Sequence, residues 1–319
     1  MRAPAFWAED GLLARLLAPL SGLYAAATAR RLARPGWHAP VPVICCGNAT
    51  VGGAGKTTLA LDLAARLAAR GARPAFLTRG YGGRVGGVLR VDQAVHPALL
   101  VGDEALLLAA AAPTYVGADR AAAARLAVAG GASVLVMDDG LQNASLVKDV
   151  SLLVIDGAVG FGNGRVLPAG PLREPVAVAA ARCRAAVLIG GTRGEAALPA
   201  GFPVLHAHLE AAPEGRALAG QRVLAFAGIG RPEKFFATLA ATGAILTALR
   251  PFPDHHPYSD AEQQALLREA ASLGALPVTT PKDWVRLAPA VRPAIRPIGV
   301  SLVWHEPDAI AALLAELAP

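Results

Sequence analysis

The sequence predicts an α/β fold with a largely parallel sheet, on three observations. Short apolar runs alternate with stretches whose apolar residues recur at helical spacing. A glycine-rich segment, "GNATVGGAGKTT" (residues 47–58), lies between one such run and one such stretch. Apolar runs also end abruptly in carboxylates, as in "VLVMDD" (134–139) and "LLVIDG" (152–157).

The first element is helical. In "GLLARLLAPLSGLYAAATA" (11–29), Leu12, Leu16, Leu20 and Leu23 fall on one stripe, widened by Leu13, Leu17 and Tyr24. Arg30, Arg31 and Arg34 follow at once. A cleaved signal peptide carries its basic residues before the apolar run, so the order here argues against one. A spanning helix needs about 20 apolar residues, and Arg15 and Pro19 interrupt this run. Two readings remain from the spacing: an amphipathic helix in a membrane interface with arginines on anionic headgroups, or an ordinary core-packing helix.

Next, "VPVICCGN" (41–48) reads as a buried strand and "KTTLALDLAARLAARG" (56–71) as a helix ending at Gly71. "RPAFLTRGYGG" (73–83) is a strand running into a glycine turn. "GDEALLLAAAAP" (102–113) is a helix opened by an acidic pair. "PTYVGADRAAAARLAVAGG" (113–131) gives a strand and a helix, and "SVLVMDDGLQN" (133–143) and "VSLLVIDG" (150–157) give two more strands. The chain is then loop-rich through "GFGNGRVLPAGPLREP" (160–175), before a helix and the strand "AAVLIGG" (185–191). A second unit begins near Val223, with strands at "VLAFAGIG" (223–230) and "ILTALRP" (245–251). Its helix "SDAEQQALLREAASLG" (259–274) is opened by a Ser259/Glu262 capping box. "LPVTTPKDWVRL" (276–287) is a strand and loop, and the strand "IGVSLVW" (298–304) precedes a terminal helix. The expected division is a helical segment at 1–40, a core at 41–220 and a C-terminal α/β unit at 221–319.

The glycine-rich segment sits where a phosphate cradle belongs, between an apolar strand and a helix N-terminus. Gly52, Gly53 and Gly55 let backbone N–H groups turn inward, with Ala54 and Thr58 completing the wall. Lys56 would reach the β- and γ-phosphates of a nucleotide, and Thr57 would ligate Mg²⁺. The usual spacing asks for glycine where this chain has Thr50. Asp138 and Asp139 are the candidate Mg²⁺ partners, because adjacent carboxylates can divide direct and water-mediated contacts. Asp156 reads as a turn residue.

Composition bounds the partners. The 319 residues are 54% hydrophobic and 17% charged, with a net charge of +6, a pI near 9.6 and a mean hydropathy of +0.43. That excess of positive charge suits an anionic partner. Only four tryptophans and four tyrosines are present, too few for stacking platforms on single-stranded nucleic acid, and no arm-like basic run occurs. Nucleic acid is therefore not expected. Cys45, Cys46 and Cys183 form no C-x-x-C, which argues for a reducing compartment and against zinc.

Seven blocks, in order, resemble the tetraacyldisaccharide 4′-kinases of lipid A synthesis. They are the loop at 47–58, "TRGYGG" (78–83), "VGDEALLL" (101–108), "VMDDGLQN" (136–143), "LPAGPLREP" (167–175), "FPDHHPYS" (252–259) and "TTPKDWVRL" (279–287). The apolar N-terminal helix with trailing arginines is also similar to that family. Departures are Thr58 where the family usually has proline, Leu141 and Asn143 in the "DDG" block, and Ala105 after "GDE". The resemblance implies a P-loop NTPase core with a smaller C-terminal α/β unit and the site in the cleft between them. It implies ATP- and Mg²⁺-dependent phosphorylation of the 4′-hydroxyl of a lipid-linked glucosamine disaccharide 1-phosphate, giving lipid IVA, at the cytoplasmic face of the bacterial inner membrane. It favours the interfacial reading of the first helix, attached peripherally or monotopically to an anionic surface, with no obligate protein partner.

Spacing alone makes Asp103 a helix N-cap; the resemblance makes it the candidate base, beside Lys56 and Asp139 as further catalytic groups. His255 from the second unit is its candidate partner, with His256 the rival. Arg79, Arg120, Arg173 and Glu174 are candidate substrate contacts, and Lys282 and Asp283 stay unassigned. A membrane-associated P-loop ATPase switch is the alternative activity. Such switches often carry a second lysine early in the glycine loop, and "NATVGG" has none.

Overall fold

The computed structural model describes residues 4–317. Among the described residues, thirteen strands form two sheets. The larger takes β1 (Val43–Gly47), β2 (Pro74–Thr78), β3 (Val88–Arg90), β4 (Thr114–Gly117), β5 (Val134–Asp138), β6 (Val150–Asp156), β7 (Ala185–Ile189) and β8 (Val204–Ala211). The smaller takes β9 (Arg222–Ala227), β10 (Ile245–Pro251), β11 (Leu276–Thr279) and β12 (Arg296–Pro297). The last strand, β13 (Val300–Trp304), returns to the larger sheet.

The larger sheet runs β13-β8-β7-β6-β1-β5-β2-β4-β3. Its seven central strands are parallel, and only the edges β3 and β13 pair antiparallel. Parallel strands are covered on both faces, and β1, β5 and β7 are accordingly buried throughout. Ile44 and Cys46 pack on one face with Leu59, Leu63 and Leu67 of the helix Lys56–Ala68. Val43 and Cys45 face the opposite layer with Leu135 and Met137. The smaller sheet, β10-β9-β11-β12, is parallel and also has a core on each face.

Two expectations need adjusting. Strand β8 has no counterpart among the elements expected from sequence, although Leu205 and Ala207 on the core alternate with partly exposed His206 and His208. The strand expected at 298–304 was grouped with the second unit, whereas β13 pairs with β8 in register from Val300–Ala211 to Trp304–Ala207. By strand pairing, the end of the chain goes with the first sheet. Ile310, Leu313 and Leu314 of the helix Pro307–Ala315 join that sheet's core.

The first helix, α1 (Leu12–Leu32), does not follow the core-packing reading of its spacing. Its leucine stripe faces outward, with Leu12 76% and Leu23 70% exposed. Ala14, Ser21 and Thr28, seven residues apart, face the protein instead. Ser21 donates its hydroxyl to the Val166 carbonyl at 2.7 Å. Among the described residues this is the one helix long and apolar enough to cross a membrane. Its apolar face does not pack into the core.

Candidate active site

Strand β1 delivers Gly47 and Asn48 to the carboxyl edge of the larger sheet, where α/β folds bind ligands. Asn48 is fully buried. Its side-chain oxygen accepts from Lys56 Nζ at 3.1 Å, and its amide donates to Thr50 Oγ1 at 3.2 Å. Thr50 needs no glycine conformation, because it forms an antiparallel bridge with Leu172. Neighbouring bonds from Val51 N to the Pro171 carbonyl and from Arg173 N to the Ala49 carbonyl pin this half of the loop. The turn falls later, with Gly52 at φ 117° and Gly55 at φ 91°. These left-handed values favour glycine, and a β-carbon at 55 would also crowd Ile189. Gly52 and Gly53 face open space. The helix Lys56–Ala68 then begins without a side-chain cap, leaving its first N–H groups free for an anion.

Beside the loop, β5 ends in two carboxylates with opposite surroundings. Asp138 is paired in register with Cys46 and accepts from Thr57 Oγ1 at 3.0 Å through Oδ2. Its Oδ1 is buried and has no partner among the described residues. Burial, reinforced by the nearby Glu104 charge, raises its carboxyl pKa above the usual range. Asp139 adopts φ 53° and turns the other way. Both of its oxygens meet Arg173, at 2.9 and 3.2 Å, and Lys56 Nζ lies 3.7 Å off. Burial opposes ionisation, but Lys56 and Arg173 outweigh it and hold the Asp139 carboxyl low.

Asp103 opens the helix Asp103–Ala109 and is 4% exposed. Its Oδ1 accepts from the Glu104 amide at 2.8 Å. Its Oδ2 meets His255 Nδ1 at 3.0 Å and Arg286 Nε at 2.9 Å, and Arg286 Nη2 reaches the same oxygen. Burial raises the Asp103 pKa, but His255, Lys282 and Arg286 hold it well below the carboxylate range. The reciprocal bond to Asp103 raises the His255 pKa, against its own desolvation. His256 turns away, bonding Glu262 at 3.0 Å and stacking on Phe252. His255 is thus the one that meets Asp103.

Sequence reasoning missed Arg286, although it lies within the quoted block 279–287. Its side chain is 7% exposed and anchored to the Gly228 carbonyl and to Asp283. Asp283 is fully buried and also accepts from Tyr258 Oη and the Gly228 amide. Beside it, Lys282 pairs with Glu104 at 2.7 Å. The unassigned Lys282–Asp283 pair therefore sets the second unit against the helix that carries Asp103.

The four expected substrate contacts divide. Arg79 is exposed at the end of β2, and Arg173 lies beside Asp139. Glu174 is a correction: it is 2% exposed and taken up by Arg182 and Gln142, so it braces the wall behind Arg173. Arg120 is also a correction. It is 2% exposed and bonds the Gly117 carbonyl. Burial lowers its pKa to about 10, although Asp139 and Asp138 pull it back up.

Comparison with known proteins bears on this geometry. A family model described as tetraacyldisaccharide-1-P 4′-kinase matches residues 13–318. The chain is 59% identical to the tetraacyldisaccharide 4′-kinase of Gluconacetobacter diazotrophicus, over 98% of this chain and 97% of that one. It is 58% identical to the enzyme of the same name from Rhodospirillum centenum, over 99% and 97%. Among solved structures it is similar to the "apo" form of LpxK from Aquifex aeolicus in complex with ATP. The TM-score is 0.78, with 27% identity over 97% of this chain and 100% of that one.

Proposed function

This chain belongs to the tetraacyldisaccharide 4′-kinase family and transfers phosphate from ATP to the 4′-hydroxyl of its lipid disaccharide phosphate, and we propose that Asp103 is the base for that transfer. The observation that carries this reading is the convergence of His255 and Arg286 on one oxygen of Asp103. With Oδ2 taken and Oδ1 accepting only the Glu104 amide, Oδ1 keeps a lone pair for the sugar hydroxyl. The proton passes to Asp103 as the hydroxyl oxygen bonds the γ-phosphorus and the bond to ADP breaks. His255 orients the carboxylate and stabilises its charge. The 52–58 backbone holds the triphosphate, with Lys56 on the β- and γ-phosphates. The switch-ATPase alternative is not favoured, since the curated relatives are named kinases.

The oxygen-rich donor set suits Mg²⁺. The unpartnered Asp138 Oδ1 and the Thr57 hydroxyl would hold it, and the bound ion would neutralise charge on the β- and γ-phosphates. Asp139 serves differently. With both oxygens on Arg173, it aligns Lys56 and Arg173 and leaves direct ligation to Asp138.

The outward leucines of α1, followed by Arg30, Arg31 and Arg34, fit an anionic membrane interface. We place the protein at the cytoplasmic face of the inner membrane, where ATP is available, with α1 lying in the interface. Incubation with γ-labelled ATP and detergent-dispersed tetraacyldisaccharide 1-phosphate tests the activity. Label should enter the lipid with wild-type protein and not with Lys56→Ala. Protein that binds ATP but leaves the lipid unlabelled would contradict the reading.

A further inference from the structure

A cavity of about 230 Å³ lies on the α1 side of the site, between the end of that helix and the chain at 141–148. Three cationic side chains line it: Arg34, Lys148 and Arg182. No acidic residue does, among the described residues. Arg182 is neutralised from behind by Glu174, yet its Nε is buried and lacks a partner among the described residues. Lys148 gives its ammonium to the Asn143 carbonyl and has no carboxylate within salt-bridge reach among the described residues. Desolvation lowers the Lys148 pKa, and Arg182 lowers it further.

Arg34 and Lys148 have no carboxylate within salt-bridge reach among the described residues and Arg182 has one only from behind, so an anion in the cavity would complete the set. Guanidinium and ammonium groups around a small cavity match the oxygens of a phosphate. Leu32 adds apolar surface, and buried Leu146 forms part of the wall. Arg34 places the opening at the foot of α1, just beyond Arg30 and Arg31.

We propose that this cavity binds a phosphate-type anion, either the headgroup of an anionic phospholipid at the surface that α1 faces or free inorganic phosphate. The charge argument is independent of the kinase reading; only the lipid source rests on the membrane placement of α1. A route to the active site is present. Arg182 bonds Glu174, Glu174 accepts from Gln142, Gln142 accepts from Arg173, and Arg173 holds Asp139.

Thermal unfolding tests the site, with the nucleotide loop first saturated by a non-hydrolysable ATP analogue so that phosphate cannot report from there. Sodium phosphate is compared with chloride at equal ionic strength. Short-chain phosphatidylglycerol is compared with phosphatidylcholine in the same micelles. The variants are Lys148→Met, Lys148→Arg and Arg34→Gln. A saturable rise in Tm of about 2 °C or more, seen with wild type and Lys148→Arg, weakened in Arg34→Gln and lost in Lys148→Met, supports the proposal. Response to phosphate assigns free phosphate, and response to phosphatidylglycerol alone assigns the headgroup. Equal shifts in wild type and Lys148→Met, or no shift with either probe, would overturn it. Should Lys148→Met not fold, the phosphate response of Arg34→Gln decides: unchanged from wild type, it sinks the proposal.

Discussion

The two lips of the candidate site are built differently. On one lip, the strand, loop and first helical turn proposed to cradle phosphate come from a single stretch, 43–58, with Lys56 and its partner Asn48 eight residues apart. On the other, Asp103, His255 and Arg286 come from three segments, separated by 152 and 183 residues from Asp103. Local chain geometry secures the first constellation. The second exists only while the smaller sheet docks against the helix Asp103–Ala109. One lip should thus tolerate changes in the docking of the two sheets, and the other should not.

The largest effect should separate chemistry from binding. Asp103→Asn should lower kcat by about 10²–10⁴-fold, with ATP affinity measured by calorimetry nearly unchanged. Lys56→Ala should lower kcat by about 10²–10³-fold and weaken ATP binding too, so the two lips are distinguished by the second readout. Arg286→Gln sharpens the comparison further. Arg286 holds Asp103 ionised, so its removal lets the Asp103 pKa rise. The acid limb of the kcat/KM profile should move to higher pH by about one unit or more, whereas a lesion confined to packing would leave the limb in place. The reciprocal sign holds for His255. Its raised pKa means that the imidazolium charge facing Asp103 is lost as pH climbs through that value, so activity should decline on the alkaline side. The smallest effect is expected at Thr50→Gly. Thr50 pairs with Leu172 in extended backbone, so restoring the usual glycine should leave KM for ATP unchanged and cost about 0.5–1 kcal/mol of stability by urea unfolding.

This contrast also explains what could be read from sequence. The parallel sheet, the strand–loop–helix order at 43–68 and the Ser259/Glu262 capping box all follow from spacing within one or two elements. Asp103 and His255 were found only because flanking blocks resembled a family; their spacing suggests a helix cap and a surface loop. Arg286 escaped because an arginine after a short helix carries no periodic signal, and its partners lie in other elements. Glu174 was misjudged for a related reason. A carboxylate in a loop reads as exposed unless its buried partners, Arg182 and Gln142, are known. The leucines of α1 show the converse limit: periodicity located the stripe without saying which way it faced.

The most direct test of the cross-cleft assembly is a double-mutant cycle on kcat/KM with Asp103→Ala, His255→Ala and the pair together. If Asp103 and His255 act as one unit, the double variant should lose little more than Asp103→Ala alone. Losses that multiply, as for independent groups, would contradict the account.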